Sequence, residues 1–246
     1  MLNQVQNFTP AIILTLGLAI GLQHAFEPDH VAAVTTQLSK VSSKSQSFKQ
    51  IIKERTFKSS ILGVFWGAGH TTSLVLMGLL VYVLAINIPK NFFFGIEFIV
   101  GIMLVYLAIT TLWNKKLFRQ KHIHPHTHKD GTVHIHPHEH EGEHKHTHKS
   151  YLIGCIHGLA GSGSLVVLTA STLGSIEMVL SFILILGLGS IIGMALVSVL
   201  IGLPFAFTNK TVFANKIFRY VAGSFCLLLG ANIIYEIGVL NNVFGF

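Results

Sequence analysis

The feature that most constrains this chain is a succession of long apolar runs separated by short polar segments. A bilayer-spanning helix needs about 20 apolar residues, and six stretches qualify: 9–36, 60–86, 92–113, 151–173, 177–206 and 213–238. Backbone N–H and C=O groups have no water to bond inside a bilayer, so such runs fold as helices. Charged residues make up 11% of the chain, against about 25% in a soluble domain. The expected class is an all-α integral membrane protein with six transmembrane helices. The two cysteines, Cys155 and Cys226, lie in separate apolar runs and form neither a CxxC pair nor a disulfide framework. The N-terminus has no basic region followed by a small-residue cleavage site, so it reads as the start of the mature chain.

Lysine and arginine set the orientation, because they accumulate in cytoplasmic loops. Segment 37–59 holds Lys40, Lys44, Lys49, Lys53, Arg55 and Lys58. Segment 114–150 holds Lys115, Lys116, Arg119, Lys121, Lys129, Lys145 and Lys149, and Lys210, Lys216 and Arg219 flank the last turn. Only Lys90 falls on the opposite side. The expected location is the cytoplasmic (plasma) membrane, multi-pass, with both termini outside. The net charge of +7 is explained by these loops, and no nucleic-acid partner is expected.

The two halves repeat. Gly21-x-x-His24 in the first run matches Gly154-x-x-His157 in the fourth, Gly67-Ala-Gly69-His70 matches Gly187-Leu-Gly189-Ser190, and Gly101 matches Gly223. The offsets are 133, 120 and 122 residues, in the same order along both halves. Each half contains three helices, so the second enters the membrane inverted. Inverted repeats with interrupted helices place a binding site near the bilayer midplane. The expected organisation is a first repeat over 1–113, a cytoplasmic histidine-rich loop over 114–150, and a second repeat over 151–246. Glycine pairs such as Gly17/Gly21 and Gly154/Gly158 have small-xxx-small spacing, which lets helix backbones approach. The run 158–164, Gly-Leu-Ala-Gly-Ser-Gly-Ser, is too glycine-rich for a regular helix interior, and a second break is expected there.

The first break is more distinctive. Gly21-Leu-Gln-His24-Ala-Phe-Glu27-Pro28-Asp29-His30 sets two imidazoles, two carboxylates and a proline in an otherwise apolar run. Ionisable groups cost several kcal/mol in a bilayer and mark function there. Proline disfavours helix in the residue before it and removes a backbone donor. The stretch reads either as one broken span or as a short helix with a re-entrant piece. Four histidines lie within the expected spans: His24, His30, His70 and His157. Imidazole suits nickel, cobalt, zinc and copper. The candidate metal-binding residues are His24, Asp29 and His30, with His70 from the second helix, His157 from the fourth, and Glu27 as a lesser candidate. Asp29 could itself be a ligand, or could orient an imidazole. Thr71, Thr72 and Ser73 are expected to satisfy backbone groups, and Glu97, Glu177 and Glu236 to sit at the interface. The other eleven histidines fall within 122–148, a low-complexity tract with no means of building a core but suited to loose binding of transition ions.

His24-x-x-x-x-Asp29-His30 resembles the HX4DH signature of the nickel/cobalt transporter superfamily. Gly69-His70-Thr71 and Gly154-x-x-His157-Gly158-Leu-Ala-Gly161-Ser-Gly163 resemble the urease-accessory, UreH-like branch of that superfamily, which shares the six-helix count, whereas larger members have eight. The resemblance covers most of the membrane portion. It implies a permease for a divalent metal, Ni²⁺ or Co²⁺; the ligand types alone also allow Zn²⁺. No resident cofactor is implied beyond that transported ion. Glu27-Pro28 resembles an efflux branch that also carries a histidine-rich loop, whereas Asp29 is typical of the uptake branch. The expectation is a secondary permease with uptake favoured. The alternatives are proton-coupled efflux and a metal-binding accessory or sensor protein for nickel-enzyme maturation. An enzyme is not expected: an intramembrane zinc protease needs an HExxH-type motif, and His30-Val-Ala-Ala-Val does not supply it. The partners expected are the metal substrate and the bilayer; the sequence leaves oligomeric state open.

Overall fold

The computed structural model describes residues 10–41, 47–84, 90–113, 122–127, 133–138, 144–160, 173, 175–207 and 212–241. The helices are α1 (Pro10–His24), α2 (Pro28–Leu38), α3 (Phe48–Leu84), α4 (Lys90–Leu112), α5 (His144–Ala160), α6 (Ile176–Phe207) and α7 (Val212–Tyr235), the last running into a π-helical turn, Glu236–Leu240. Among the described residues, four helical stretches are long and apolar enough to cross a membrane: Phe48–Leu80, Asn91–Leu112, Ile176–Phe207 and Phe213–Leu240. The pair α1 and α2, bent by 52°, makes a fifth if counted as one broken span. The protein is a helical membrane protein.

The break in the first span follows from three residues. Proline has a fixed φ and no N–H, which suits the first position of a helix and no interior one. Pro28 accordingly opens α2. The residue before a proline is driven to extended backbone, and Glu27 has φ −60° and ψ 143°. The last turn of α1 closes with Phe26 N–H donating to Gln23 O at 2.9 Å and Glu27 N–H to His24 O at 3.1 Å. His24 therefore ends one helix and His30 sits in the first turn of the next.

The boundaries of α4 and α6 fall within two residues of those expected. Three expectations need amendment. The second span begins at Phe48 rather than near residue 60, because helix runs through the cationic segment ahead of it. At 1.5 Å per residue α3 is about 55 Å long, well beyond a hydrocarbon core of about 30 Å. The fourth begins at His144, inside the histidine tract, and is described only to Ala160. The break expected over 158–164 lies largely outside the described residues. The histidine-rich loop also contains an antiparallel ribbon of β1 (His122–Thr127) and β2 (Val133–His138). It is the one departure from all-α structure among the described residues.

α3 lies against α5 and α6, α1 against α6, and α4 against α7. Along α6, Leu184, Leu188, Ile192, Leu196 and Leu200 are exposed at every fourth residue, forming a stripe suited to lipid. The opposite face presents Gly187, Gly189, Ser190 and Gly193 to the protein. Small residues at the interface allow backbone-to-backbone packing where lipid supplies no hydrophobic driving force. A Cβ on Gly21 would run into Leu186 O and lie 2.9 Å from Ser190 N. A Cβ on Gly154 would run into Trp66 O. These two approaches seat α1 on α6 and α5 on α3, and so help bring the histidines of four helices together.

Candidate metal centre

His24, His30, His70 and His157 converge from the end of α1, the first turn of α2, the middle of α3 and the end of α5. Their exposures are 8%, 2%, 0% and 1%. Ring centroids are 4.6 Å apart for His24 and His30, 4.9 Å for His24 and His70, 5.5 Å for His30 and His70, and 4.7 Å for His30 and His157. One nitrogen from each of His24, His30 and His70 lies within 4.8 Å of the other two. A carboxylate oxygen from each of Glu27 and Asp29 forms a similar group with His30. Every candidate residue from the sequence thus lies at one place. His157 stands beside His30 but outside both groups of three.

The carboxylates divide the imidazole nitrogens into two kinds. His24 Nδ1 is 2.7 Å from Glu27 Oε1, and His30 Nδ1 is 3.1 Å from Asp29 Oδ1. Both rings keep an Nε2 with no hydrogen-bond partner. A carboxylate accepting from Nδ1–H leaves the lone pair on Nε2, the tautomer required of a metal-binding imidazole. Asp29 Oδ2 also faces His157 Nε2 at 3.8 Å, so one carboxylate lies between α2 and α5. The break is what permits this. On an unbroken helix Asp29 would point about 100° away from His30.

The chain as a whole matches a known protein over nearly its full length. The chain is 34% identical over 233 residues to the urease accessory protein UreH of Bacillus sp. (strain TB-90), covering 94% of each sequence. The chain belongs to the UreH family. This agrees with the motif resemblance to the urease-accessory branch of the nickel/cobalt transporter superfamily. No family profile matches the chain, and no solved structure does.

In this UreH-family member the walls of the centre come from residues the motifs do not name. Trp66 is fully buried, stacks on His30 at 5.6 Å with planes 11° apart, and lies 5.4 Å from His157. It precedes His70 by one helical turn, and it is one of only two tryptophans; that spacing was the available signal. Thr71 Oγ1 donates to Gly67 O at 2.8 Å and approaches Gly187 O at 3.1 Å, and Thr72 Oγ1 donates to Ala68 O at 2.8 Å. Ser73 Oγ donates across to Cys155 O at 2.8 Å. The hydroxyls after His70 therefore serve the backbone, as expected, and all three tie α3 to its neighbours, Thr72 Oγ1 by accepting from the Tyr151 hydroxyl at 3.1 Å. Ser162 and Ser164, the serines of the glycine-rich run over 158–164, lie outside the described residues.

Proposed function

We propose that this protein is a permease that carries a divalent transition-metal ion through the membrane, with His24, His30 and His70 as the ligands. The observation that carries this reading is the pair of partnerless Nε2 atoms, each on an imidazole fixed by a carboxylate and buried within a membrane protein. Uncompensated polar groups are costly at such depth, and an ion would satisfy them together. Asp29 and Glu27 orient His30 and His24, and His157 lines the far side next to Asp29. Imidazole donors suit Ni²⁺ and Co²⁺, and also Zn²⁺; the family resemblance favours the first two. Uptake is the favoured direction. A potential of 100 mV, negative inside, contributes about 4.6 kcal/mol to the inward movement of a doubly charged ion. Export would need coupling, for which protons are the simplest choice.

The proposed architecture is two inverted three-helix repeats, with both termini outside and the lysine-rich segments in the cytoplasm. Its support lies in matched glycine approaches. Gly21 meets Leu186 O as Gly154 meets Trp66 O. Gly189 meets Leu18 O and Leu22 N as Gly69 meets Tyr151 O and Cys155 N. A Cβ on Gly101 would lie 3.2 Å from Gly230 O, and one on Gly223 3.6 Å from Ala108 O. Each pair interconverts under the same offsets of 133, 120 and 122 residues seen in the sequence. Rocking of the two halves about the centre would expose it to each side in turn. The histidine ribbon would receive ions on the cytoplasmic side.

A second reading follows from the relative's description as a urease accessory protein: the chain would bind metal for enzyme maturation without moving it. Flux in proteoliposomes separates the two. Inside-negative potential should drive Ni²⁺ or Co²⁺ inward in the wild type and not in His24→Ala or His30→Ala. Movement only under a proton gradient would turn the assignment to export. Binding without flux would favour the accessory role.

A further inference from the structure

Beside the metal centre lies a cavity of about 350 Å³, walled by Glu27, Asp29, Glu97, Glu236, Ala160 and Asn241 together with apolar side chains. Its carboxylates come from three places far apart in sequence: the break between α1 and α2, the early turns of α4, and the π-helical turn that ends α7. None of its lining residues is cationic. Glu97 and Glu236 were expected simply to face the interface. They also share one chamber with the carboxylate that touches His30.

We propose that this chamber is a second cation site, an antechamber that gathers a hydrated divalent ion and hands it to the buried histidines. It rests on the permease or metal-binding reading for its destination, not for its own ion. Six waters of about 30 Å³ each occupy roughly half the chamber, so a hydrated ion fits without being stripped. Carboxylates are hard donors that bind such ions weakly and often through their water shell. The inner wall is where the ligands change. Asp29 lines the chamber, its Oδ1 is 3.1 Å from His30 Nδ1, and its Oδ2 is 3.8 Å from His157 Nε2. That His157 nitrogen is almost fully buried and has no hydrogen-bond partner. Ala160, one turn beyond His157 on α5, forms part of the same wall. Beyond Asp29, the His157 imidazole is therefore the next nitrogen donor an ion would meet. The chamber lies toward the start of α4 and the end of α7, on the side away from the lysine-rich segments. Its negative charge would concentrate cations on that side and speed their capture.

The test uses the full chain in lipid nanodiscs. Wild type, Glu97→Gln/Glu236→Gln and His24→Ala/His30→Ala are compared with two ions. Mn²⁺, a carboxylate-preferring ion followed by electron paramagnetic resonance, reports on the chamber. Co²⁺, followed by its absorption in stopped flow, reports on arrival at the histidines. The proposal expects a Mn²⁺ class that survives His24→Ala/His30→Ala and disappears in Glu97→Gln/Glu236→Gln. It also expects the glutamine variant to load Co²⁺ to the same final occupancy about tenfold more slowly, with its salt dependence lost. Glu97→Asp/Glu236→Asp should restore both. Unchanged Mn²⁺ binding in the glutamine variant overturns the antechamber. A wild type that binds Mn²⁺ through the glutamates but never loads Co²⁺ overturns the histidine site and leaves the antechamber standing.

Discussion

The chain holds histidine in two ways: in a ribbon whose pairing is local, and in a buried cluster that helix packing assembles. The ribbon has six histidines in two short strands, paired across the ladder as His122 with His138, His124 with His136 and His126 with His134. Strand alternation sets all six positions on one face. Pro125 and Pro137 stand opposite Ile135 and Ile123. Proline has no N–H to give to a ladder, so it suits the pairs whose N–H points outward, and there it also blunts the ribbon's edges. Nothing beyond this local pairing is needed to collect the ribbon's histidines. The buried centre has only four, drawn from positions 24 to 157, and every one depends on how helices pack. Under the permease reading, many donors close in sequence would give capacity, and a few fixed by tertiary packing would give selectivity and a defined coordination geometry.

Removing a ligand should sharpen the contrast most. His30→Ala and His24→Ala are expected to abolish tight binding and flux, a loss beyond the 10–100-fold typical of outer-shell changes, while the ribbon still takes up ions. Metal analysis of purified protein and proteoliposome flux measure the two parts separately. A His30→Ala variant that transports normally would break the comparison by moving the function elsewhere.

Next in size comes packing. Gly154→Val places side-chain atoms against Trp66 O, and overpacking of this kind costs about 1–3 kcal/mol. A lower melting temperature in detergent is expected, together with weaker binding at the centre. Unaltered melting would show that α5 need not approach α3 so closely.

Asp29→Asn is the finer probe. It keeps the shape of the side chain but removes the charge that fixes His30 and faces His157. Affinity for Ni²⁺ or Co²⁺ should fall about 10–100-fold, with melting of the metal-free protein little changed. If affinity fell no further than in a surface control, Asp29 would not be orienting a ligand.

The smallest effect on flux is expected from deleting 122–138. The ions bound per chain should drop and the apparent affinity should shift, but transport should persist. Complete loss of flux from a folded deletion would place the ribbon on the transport route and erase the distinction between the two histidine regions.

Much of the fold and of the centre is legible in the amino-acid sequence. Apolar runs of spanning length require helices in a membrane, because the backbone must satisfy itself there. Pro28 with the residues around it requires a break, and the backbone of Glu27 shows it. His24, Asp29 and His30 are legible as a group because ionisable residues in an apolar run are too costly to be incidental. The long N-terminal extension of α3 is not legible, since a cationic amphipathic segment and a loop look alike in hydropathy. Nor is the ribbon, whose alternation of histidine with Ile, Pro and Val competes with a low-complexity reading.

The sequence by itself determined the class of molecule, the position of the break and the residue types gathered at it, because these follow from local backbone chemistry and the cost of burying charge. Tertiary structure alone decided that His70 and His157 would meet His24 and His30. It also decided that Trp66 would pave the centre, and that Glu97 and Glu236 would share a chamber with Asp29. Those outcomes depend on angles between helices that touch through glycines more than a hundred residues apart, as Gly21 does α6. Spacing along the chain carries no record of such angles.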